Sequence, residues 1–301
     1  MTTNDTLLRF IFSNLPIRGS IVRMDEAWKQ MHANHKLPAP VMKLLGEMTA
    51  GATLLASGLK FEGSVIMQLQ GDGPVRLAVV EVKNGLGIRA TAKIHDGAII
   101  HDTMTTKDLI NRHGHGRCAI MLDPKDRREG EPLYQGVVPL VGESIADGLM
   151  NYMHQSEQLD TRLWLKGDAE HVGGMMIQKM PGFGGKDEHL IDDPDAWERI
   201  LTLAETIKDE ELLGLDAKEI EHRLFWQEDV QLLAEQTPTF QCSCSRERIE
   251  HMIRNLGEVE ALQAAEEAGA LEVVCDFCGQ VYRYTQQEVV GLFQTGDETQ
   301  H

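Results

Sequence analysis

The chain has 301 residues, 42% of them hydrophobic and 25% charged, which is the balance of a folded globular protein and excludes a disordered chain. Its formal net charge of −18 opposes binding to nucleic-acid phosphates. It contains no apolar run of about 18 residues that would span a membrane, and no secretory pattern at its N-terminus. We therefore expect a cytoplasmic protein without nucleic-acid or membrane partners, whose cysteines rest as thiols or as metal ligands.

The first part of the chain mixes strand and helix patterns. Three β-branched runs follow one another with Gly- and Asn-containing turns between them, which predicts antiparallel hairpins. A helical pattern opened by Pro40 precedes these strands and closes near Gly58. The expected strands are 63–70, 75–82, 87–94, 161–166 and 174–178, and a second helix is expected over 144–158.

The chain becomes acidic and helical after the glycine-rich residues 181–185. Residues 186–236 carry sixteen Asp and Glu against five Lys and Arg, a net charge of −11. Asp193 followed by Pro194 predicts a helix start, with an apolar stripe from Trp197 through Ile207. Asp216 predicts the start of another helix. These helices have modest apolar faces and are expected to need a surface to dock on.

The last module is expected to begin near Thr239. Ser245 predicts the cap of one helix, and a second helix should end at Gly269. Two short strands, 271–274 and 280–285, should form a hairpin. The fold class is therefore α+β. The expected domains are an N-terminal antiparallel-sheet and helix domain (1–178), an acidic helical linker (179–236), a small zinc-binding module (237–291) and a tail (292–301).

Four of the five cysteines form one arrangement: Cys242, Cys244, Cys275 and Cys278. Zinc prefers tetrahedral sets of thiolates, and a Cys-x-x-Cys turn presents two sulfurs to one ion. Four thiolates leave no open position for a substrate, so the predicted Zn²⁺, one per chain, is structural or regulatory and the protein is not expected to be an enzyme. The alternative, buried unpaired core cysteines, does not explain two tight pairs among polar residues.

Three features favour a regulatory zinc. Each close pair of cysteines contains its own oxidation partner, and a helix N-terminus beside Cys244 favours the thiolate. Arg246 and Arg248 either add to this effect or are only solvated helix residues, and the sequence leaves both interpretations open. A structural zinc contributes on the order of 10–16 kcal/mol in small modules, comparable with the roughly 5–15 kcal/mol stability of a domain, so metal loss should unfold the module.

These residues resemble the bacterial redox-regulated 33-kDa heat-shock chaperone family. The specific motifs are Cys242-Ser-Cys244-Ser-x-x-Arg248 and Cys275-x-x-Cys278-Gly-x-x-Tyr282. Two N-terminal motifs match as well, one from Tyr152 through Ser156-Glu157-Gln158 and one from Gly173-Gly174 through Gln178 to Pro181-Gly182. The resemblance covers nearly the whole chain.

The resemblance implies a holdase that binds unfolding client proteins without ATP under oxidative stress. It implies that the reduced form, with zinc on all four cysteines, is inactive. On activation it implies disulfides Cys242–Cys244 and Cys275–Cys278, loss of zinc, unfolding of the switch and linker, and a homodimer.

Three alternatives have weaker support in the sequence. A zinc-containing thiol-disulfide oxidoreductase would use Cys275 and Cys278, but such a pair normally starts a helix after a strand. A zinc module that binds nucleic acid would need a basic face. A metal site at His113, His115 and Cys118 lacks a second cysteine or a carboxylate cluster, so a glycine turn with a core thiol is preferred.

Overall fold

The computed structural model describes residues 5–59, 62–128, 131–180 and 193–294. Its internal contacts divide the chain into two compact units. The first unit comprises Met1–Met31 and Lys36–Phe240, and the second comprises His32–His35 and Gln241–His301. The segment expected as a linker, 179–236, is thus grouped with the first unit, and its separate behaviour stays a prediction. Of the expected tail, 295–301 lie outside the described residues.

The described residues form thirteen strands and ten α-helices. The strands β1 to β13 are Thr6–Phe12, Ile17–Met24, Gly63–Gln70, Val75–Lys83, Gly87–Ile94, Arg117–Pro124, Tyr134–Pro139, Thr161–Gly167, Val172–Lys179, Val230–Gln236, Thr239–Phe240, Leu271–Val274 and Val281–Tyr284. The helices α1 to α10 are Glu26–His32, Ala39–Ser57, Thr106–Ile110, Ile145–Tyr152, Ala196–Ala204, Asp209–Gly214, Ala217–Phe225, Arg246–Leu256, Glu258–Ala268 and Gln286–Gln294. A π-helical turn, Met153–Glu157, continues α4.

The first unit contains two sheets. One has the strand order β10-β1-β2-β9-β8 and is antiparallel throughout. The other has the order β11-β5-β4-β3-β6-β7, antiparallel except where the short β11 pairs parallel with β5. The predicted α+β class is confirmed, and so are the hairpins of β3, β4 and β5.

Helix α2 packs against strands of both sheets and is buried around most of its circumference. A helix that is buried on most sides is apolar around most of its circumference, and in α2 the exceptions include the exposed Lys43 and the buried Glu47. Gly46 shows how closely it packs: a Cβ at this position would lie 2.9 Å from the Cα of Gly167 in β8. Leu45, Met48 and Leu54 join one core with apolar residues of both sheets.

The acidic segment folds onto the five-stranded sheet as three short helices and a strand. Helices α5, α6 and α7 bury their apolar faces in a second core with β1, β2 and β9, which includes Phe10, Ile177, Ile200 and Phe225. Helix α7 begins where expected, because the Asp216 carboxylate accepts a hydrogen bond of 2.8 Å from the Glu219 backbone N–H. The helices are amphipathic and dock through that face.

Three details of this segment differ from expectation. Asp193 does not cap α5, which begins at Ala196; its carboxylate instead accepts the Asp195 backbone N–H at 3.1 Å in a local turn and pairs with Arg199 at 2.8 Å. Most of the expected apolar stripe lies in α5, which ends at Ala204, whereas Ile207 lies in the turn between α5 and α6. The chain 230–236, placed by composition in the helical linker, is strand β10, because pairing with β1 outweighs its composition.

The second unit is a small core of helices and one hairpin. Helices α8, α9 and α10 pack with the hairpin β12–β13 around Ile253, Ala261, Tyr284 and Val289. Ser245 caps α8 as expected, with its hydroxyl accepting the Arg248 backbone N–H at 3.2 Å. No helix in the described ranges is both long and apolar enough to cross a lipid bilayer.

Glu47 is a buried carboxyl inside α2, only 5% exposed. Burial raises its pKa from 4.5 to about 7, opposed by Lys43 and Lys166 and reinforced by Asp209. The folded chain therefore binds more protons than the unfolded chain between these two pH values. Stability falls as pH rises through that window, by on the order of 3 kcal/mol in all.

We expect Glu47→Gln to unfold at a higher temperature than the wild type at pH 8, because the amide removes the cost of a buried charge. The difference between the two unfolding temperatures should become smaller toward pH 5, where Glu47 is protonated in the folded chain. Thermal unfolding followed by circular dichroism measures both. Glu205→Gln, at an exposed position, is the matched control. A difference that is the same at both pH values would contradict the raised pKa.

Candidate metal centre

The four cysteines of the second unit come from two loops. Cys242 and Cys244 lie between β11 and α8, and Cys275 and Cys278 lie in the turn between β12 and β13. The cysteine turn at the end of a hairpin is the arrangement that the sequence predicts. All four residues are partly buried and carry free thiols.

The sulfur atoms of these cysteines form one compact cluster. All four lie within 4.8 Å of one another. The Sγ of Cys242 is 3.3 Å from that of Cys244 and 3.7 Å from that of Cys275, and the Cys244 and Cys278 sulfurs are 3.4 Å apart. A tetrahedral ion with metal–sulfur bonds of about 2.3 Å would set its sulfurs about 3.8 Å apart. The cluster therefore fits a four-thiolate metal site with adjustments of a few tenths of an ångström between the sulfurs that contact each other.

Backbone hydrogen bonds shape the Cys275–Cys278 turn. The Cys275 N–H donates to the Gln280 carbonyl at 2.9 Å, and the Gly279 N–H donates to the Cys275 carbonyl at 2.8 Å. Gly279 has a φ of 67°, in the left-handed region that glycine enters without steric cost. This is why a glycine directly follows the second cysteine of the turn.

The Cys242–Cys244 loop is held by α8. The Arg248 Nη1 donates to the Ser243 carbonyl at 2.9 Å, so its guanidinium fixes the backbone between the two cysteines. Arg246 instead pairs with Glu288 at 2.7 Å and lies 4.4 Å above the Tyr284 ring. The question left open by the sequence is thus answered differently for each arginine: Arg248 supports the loop, whereas Arg246 stabilises the core beside it.

The thiols differ in their tendency to ionise. At Cys244, burial acts to raise the pKa, but hydrogen bonds from the Tyr282 hydroxyl and the other three thiols lower it, to about 7. Burial raises the pKa of Cys242 and of Cys278. With no metal bound, the cluster thus stabilises one thiolate near neutral pH, and a thiolate is the form that binds metals and attacks oxidants.

Tyr282 is a residue whose role sequence reasoning missed. It was part of a motif, but its hydrogen bond to Cys244 becomes evident only when the hairpin brings the two together. In β13 it pairs with Val273 of β12, near the turn that carries Cys275 and Cys278. Residues that donate hydrogen bonds to the ligands of a metal site orient those ligands. A tyrosine shortly after a Cys-x-x-Cys-Gly turn therefore indicates such a residue in a sequence.

The alternative site near Cys118 does not form. Cys118 is 1% exposed in the core of β6, and burial raises its pKa to about 12. The backbone N–H groups of His113 and His115 donate to the Asp72 carboxylate, which shapes a glycine turn. Among the described residues, the four cysteines are the one group of three or more that could hold a metal ion.

Comparison with known proteins gives a consistent result. The family model described as Hsp33 protein matches residues 5–285. A 33 kDa chaperonin of Methylobacillus flagellatus is 43% identical and covers 100% of both chains, and one of Chromobacterium violaceum is 41% identical over 97% of this chain and 95% of its own. The crystal structure of the 33 kDa chaperonin from Thermotoga maritima shares the fold, with a TM-score of 0.78 at 21% identity over 98% of this chain and 100% of that one.

We expect Cys275→Ser to lower the metal content of the purified reduced protein and to increase protease cleavage after residue 241. A serine hydroxyl is a poor ligand in place of a thiolate, and losing a bound metal would remove the free energy that it contributes to the folding of a small module. Elemental analysis and limited proteolysis measure the two effects. Cys118→Ala is the control and should keep its metal. Unchanged metal content in Cys275→Ser would contradict the ligand assignment.

We expect Tyr282→Phe to bind metal with its stoichiometry intact but to lose it to a chelator roughly tenfold faster, as is typical when a second-shell partner is removed. The rate is followed with a chromogenic chelator. Tyr134→Phe, an exposed tyrosine in β7, should behave as the wild type does. Equal release rates for the three proteins would show that the Tyr282 hydroxyl does not support Cys244.

Proposed function

The chain belongs to the Hsp33 family of chaperones, and we propose that it is a redox-regulated, ATP-independent holdase that binds unfolding proteins under oxidative stress. The reduced, zinc-bound form is inactive, and the zinc-free, disulfide-bonded form is active. The observation that carries this proposal is the closed cluster of four thiol sulfurs within 4.8 Å. A closed set holds a metal but gives a substrate no coordination position.

In the reduced form, Cys242, Cys244, Cys275 and Cys278 hold one Zn²⁺. Zinc fits this donor set because thiolates are its preferred structural ligands and tetrahedral geometry is its preferred arrangement. The ion would stabilise four negative sulfurs in a confined space, whereas the chain alone raises the pKa values of Cys242 and Cys278. The hydrogen bonds of Tyr282 and Arg248 orient the Cys242–Cys244 loop toward it.

Oxidation reverses this state. Each disulfide forms as two thiols give up two electrons to one hydrogen peroxide, which is reduced to two water molecules. The proposed pairs are Cys242–Cys244 and Cys275–Cys278, so two peroxides oxidise all four sulfurs. As disulfides, the four sulfurs would no longer carry the negative charge that holds zinc, and the cysteines would release the ion.

The loss of zinc has structural consequences in this proposal. The core of the second unit has eight buried apolar residues, and a module of this size commonly needs a metal or disulfides to stay folded. In the first unit, the layer of α5, α6 and α7 covers an apolar face of the five-stranded sheet. Unfolding of this layer would expose that face to clients.

The remaining assignments follow from the family. The active form is proposed to be a homodimer in the cytoplasm, with unfolded proteins as partners and neither ATP nor nucleic acid required. The alternative, a zinc-containing thiol-disulfide oxidoreductase, would use Cys275 and Cys278. Those residues lie in the turn between two strands, whereas the cysteine pair of such an enzyme normally starts a helix after a strand.

The test compares the two redox states in the same assay. Reduced, zinc-loaded protein should fail to suppress aggregation of a chemically unfolded client diluted from denaturant, measured by light scattering. Protein treated with peroxide at mildly raised temperature should suppress it, with four fewer free thiols and about one zinc released per chain.

Two controls make the result decisive. Oxidised protein that is reduced again in the presence of zinc should lose the activity, which excludes irreversible damage as its cause. Equal suppression by the reduced and oxidised forms would remove the switch. Catalytic turnover in an insulin-reduction assay would favour the oxidoreductase.

A further inference from the structure

A cavity of about 80 Å³ lies in the first unit, where the end of α2, both sheets and the π-helical turn meet. One water needs about 10–15 Å³ of such space, so the cavity holds about six water-sized groups, in the size range of a leucine or phenylalanine side chain. Its apolar lining includes Leu55, Val65, Ile120, Leu122, Met153 and Met176.

One wall of the cavity carries a cation, Arg18, that has no acidic partner among the residues that the structure describes. The Arg18 Nε donates to the Gln178 Oε1 at 2.8 Å, and Nη2 donates to the same oxygen. Gln178 is 1% exposed, and its Nε2 donates to the Thr161 Oγ1 at 2.8 Å, which fixes the orientation of its amide. In the described part of the chain no carboxylate forms an ion pair with Arg18. A half-buried guanidinium paired only with a neutral amide keeps its charge and spare donors for an external acceptor.

A carboxylate stands at the mouth of the same cavity. The hydroxyl of the buried Tyr152 donates to the Glu157 Oε1 at 3.3 Å. Glu157 ends the π-helical turn, and Gln158 follows it with a φ of 56°, which is uncommon for a residue other than glycine. Such turns are frequent at functional sites. Tyr152, Glu157, Gln158 and Gln178 belong to the two N-terminal motifs, which the metal centre does not use.

The charges restrict what fits. Glu157 repels an anion, and Arg18 repels a cation. An apolar molecule would leave the N–H donors of Arg18 and the carboxylate oxygens of Glu157 without hydrogen-bond partners. An extended polypeptide satisfies all three demands, because each residue offers an acceptor carbonyl and a donor N–H on either side of its side chain.

We propose that this cavity binds one large aliphatic or aromatic side chain of an unfolded client, with a neighbouring client carbonyl on Arg18 and a client N–H on Glu157. This rests on the proposed chaperone function and names a client-binding site for it. The cavity is lined by neither the four cysteines nor α5, α6 and α7. A short peptide is therefore bound in the reduced and in the oxidised form, whereas holding a whole client needs the switch.

The test uses the full chain and a ten-residue Gly- and Ser-flanked peptide with one central photo-leucine, a diazirine analogue of nearly the same size as leucine that cross-links to the side chains it contacts. After irradiation of the reduced protein, mass spectrometry should find the cross-link at Met153 or Met176. Leu122→Trp, which fills the cavity, should abolish it, whereas Ile99→Trp, at a position 71% exposed outside the cavity, should not. Arg18→Gln should weaken peptide binding about tenfold, as expected for a lost charge-assisted hydrogen bond.

The outcomes separate this site from the function. Cross-links at residues outside the cavity would overturn the cavity assignment. Cross-linking that neither Leu122→Trp nor Arg18→Gln changes, in variants with wild-type unfolding temperatures, would overturn it as well. Both conclusions hold even if the oxidised protein still suppresses aggregation. If a second copy of the chain covers the cavity, cross-linking should disappear as the dimer forms. That result would also overturn the proposal that the cavity binds a client. Cross-links at Met153 in a protein that never suppresses aggregation would leave the site standing and refute the chaperone function.

Discussion

The structure of the second unit depends on keeping four sulfur atoms within a few ångströms of one another. Two loops from distant parts of the chain meet there, one leading into α8 and one turning between β12 and β13. Thiols at such distances stabilise one another little, and four thiolates repel one another. A cation bound between them would offset this repulsion, which explains why the four sulfurs are grouped. The surrounding residues are organised for the same purpose: Gly279 permits the turn, Arg248 fixes the loop, and Tyr282 reaches Cys244.

The first unit places a different demand on its acidic segment. Sixteen acidic residues against five basic ones repel each other along residues 186–236, so the described helices of this segment are held by apolar contacts and a few ion pairs, of which Lys166 with Asp209 at 2.8 Å is one. Short helices of six to nine residues have little stability of their own. A layer with short helices, high like charge and one apolar face is suited to detach when its support weakens.

The sequence was informative where local chemistry decides structure. Turn residues predicted the β3–β5 hairpins, Ser245 and Asp216 predicted helix starts, and the cysteine spacing predicted the cluster. Strands β1, β2, β6 and β7 were missed although β1 pairs with β2 and β6 with β7, the next strand along the chain in each case; neither connection carries the Asp-Gly or Asn-Gly turn signal that marked the β3–β5 hairpins. Strand β10 was hidden by acidic composition and is defined only by its neighbour β1. Asp193 failed as a cap because its carboxylate had a nearer partner in Arg199.

The position of Tyr282 illustrates a limit of reading motifs. A motif shows which residues occur together but not which atom each side chain contacts. Tyr282 and Tyr284, two residues apart on one strand, have different partners. Tyr284 is buried in the core and donates to the Arg246 carbonyl at 3.3 Å. Tyr282 is directed to the Cys244 sulfur. Residues two apart on a strand share a face, so the hairpin twist and the positions of α8 and the cysteine loop decide their separate partners. The same strand therefore carries one side chain that supports the metal centre and one that belongs to the core.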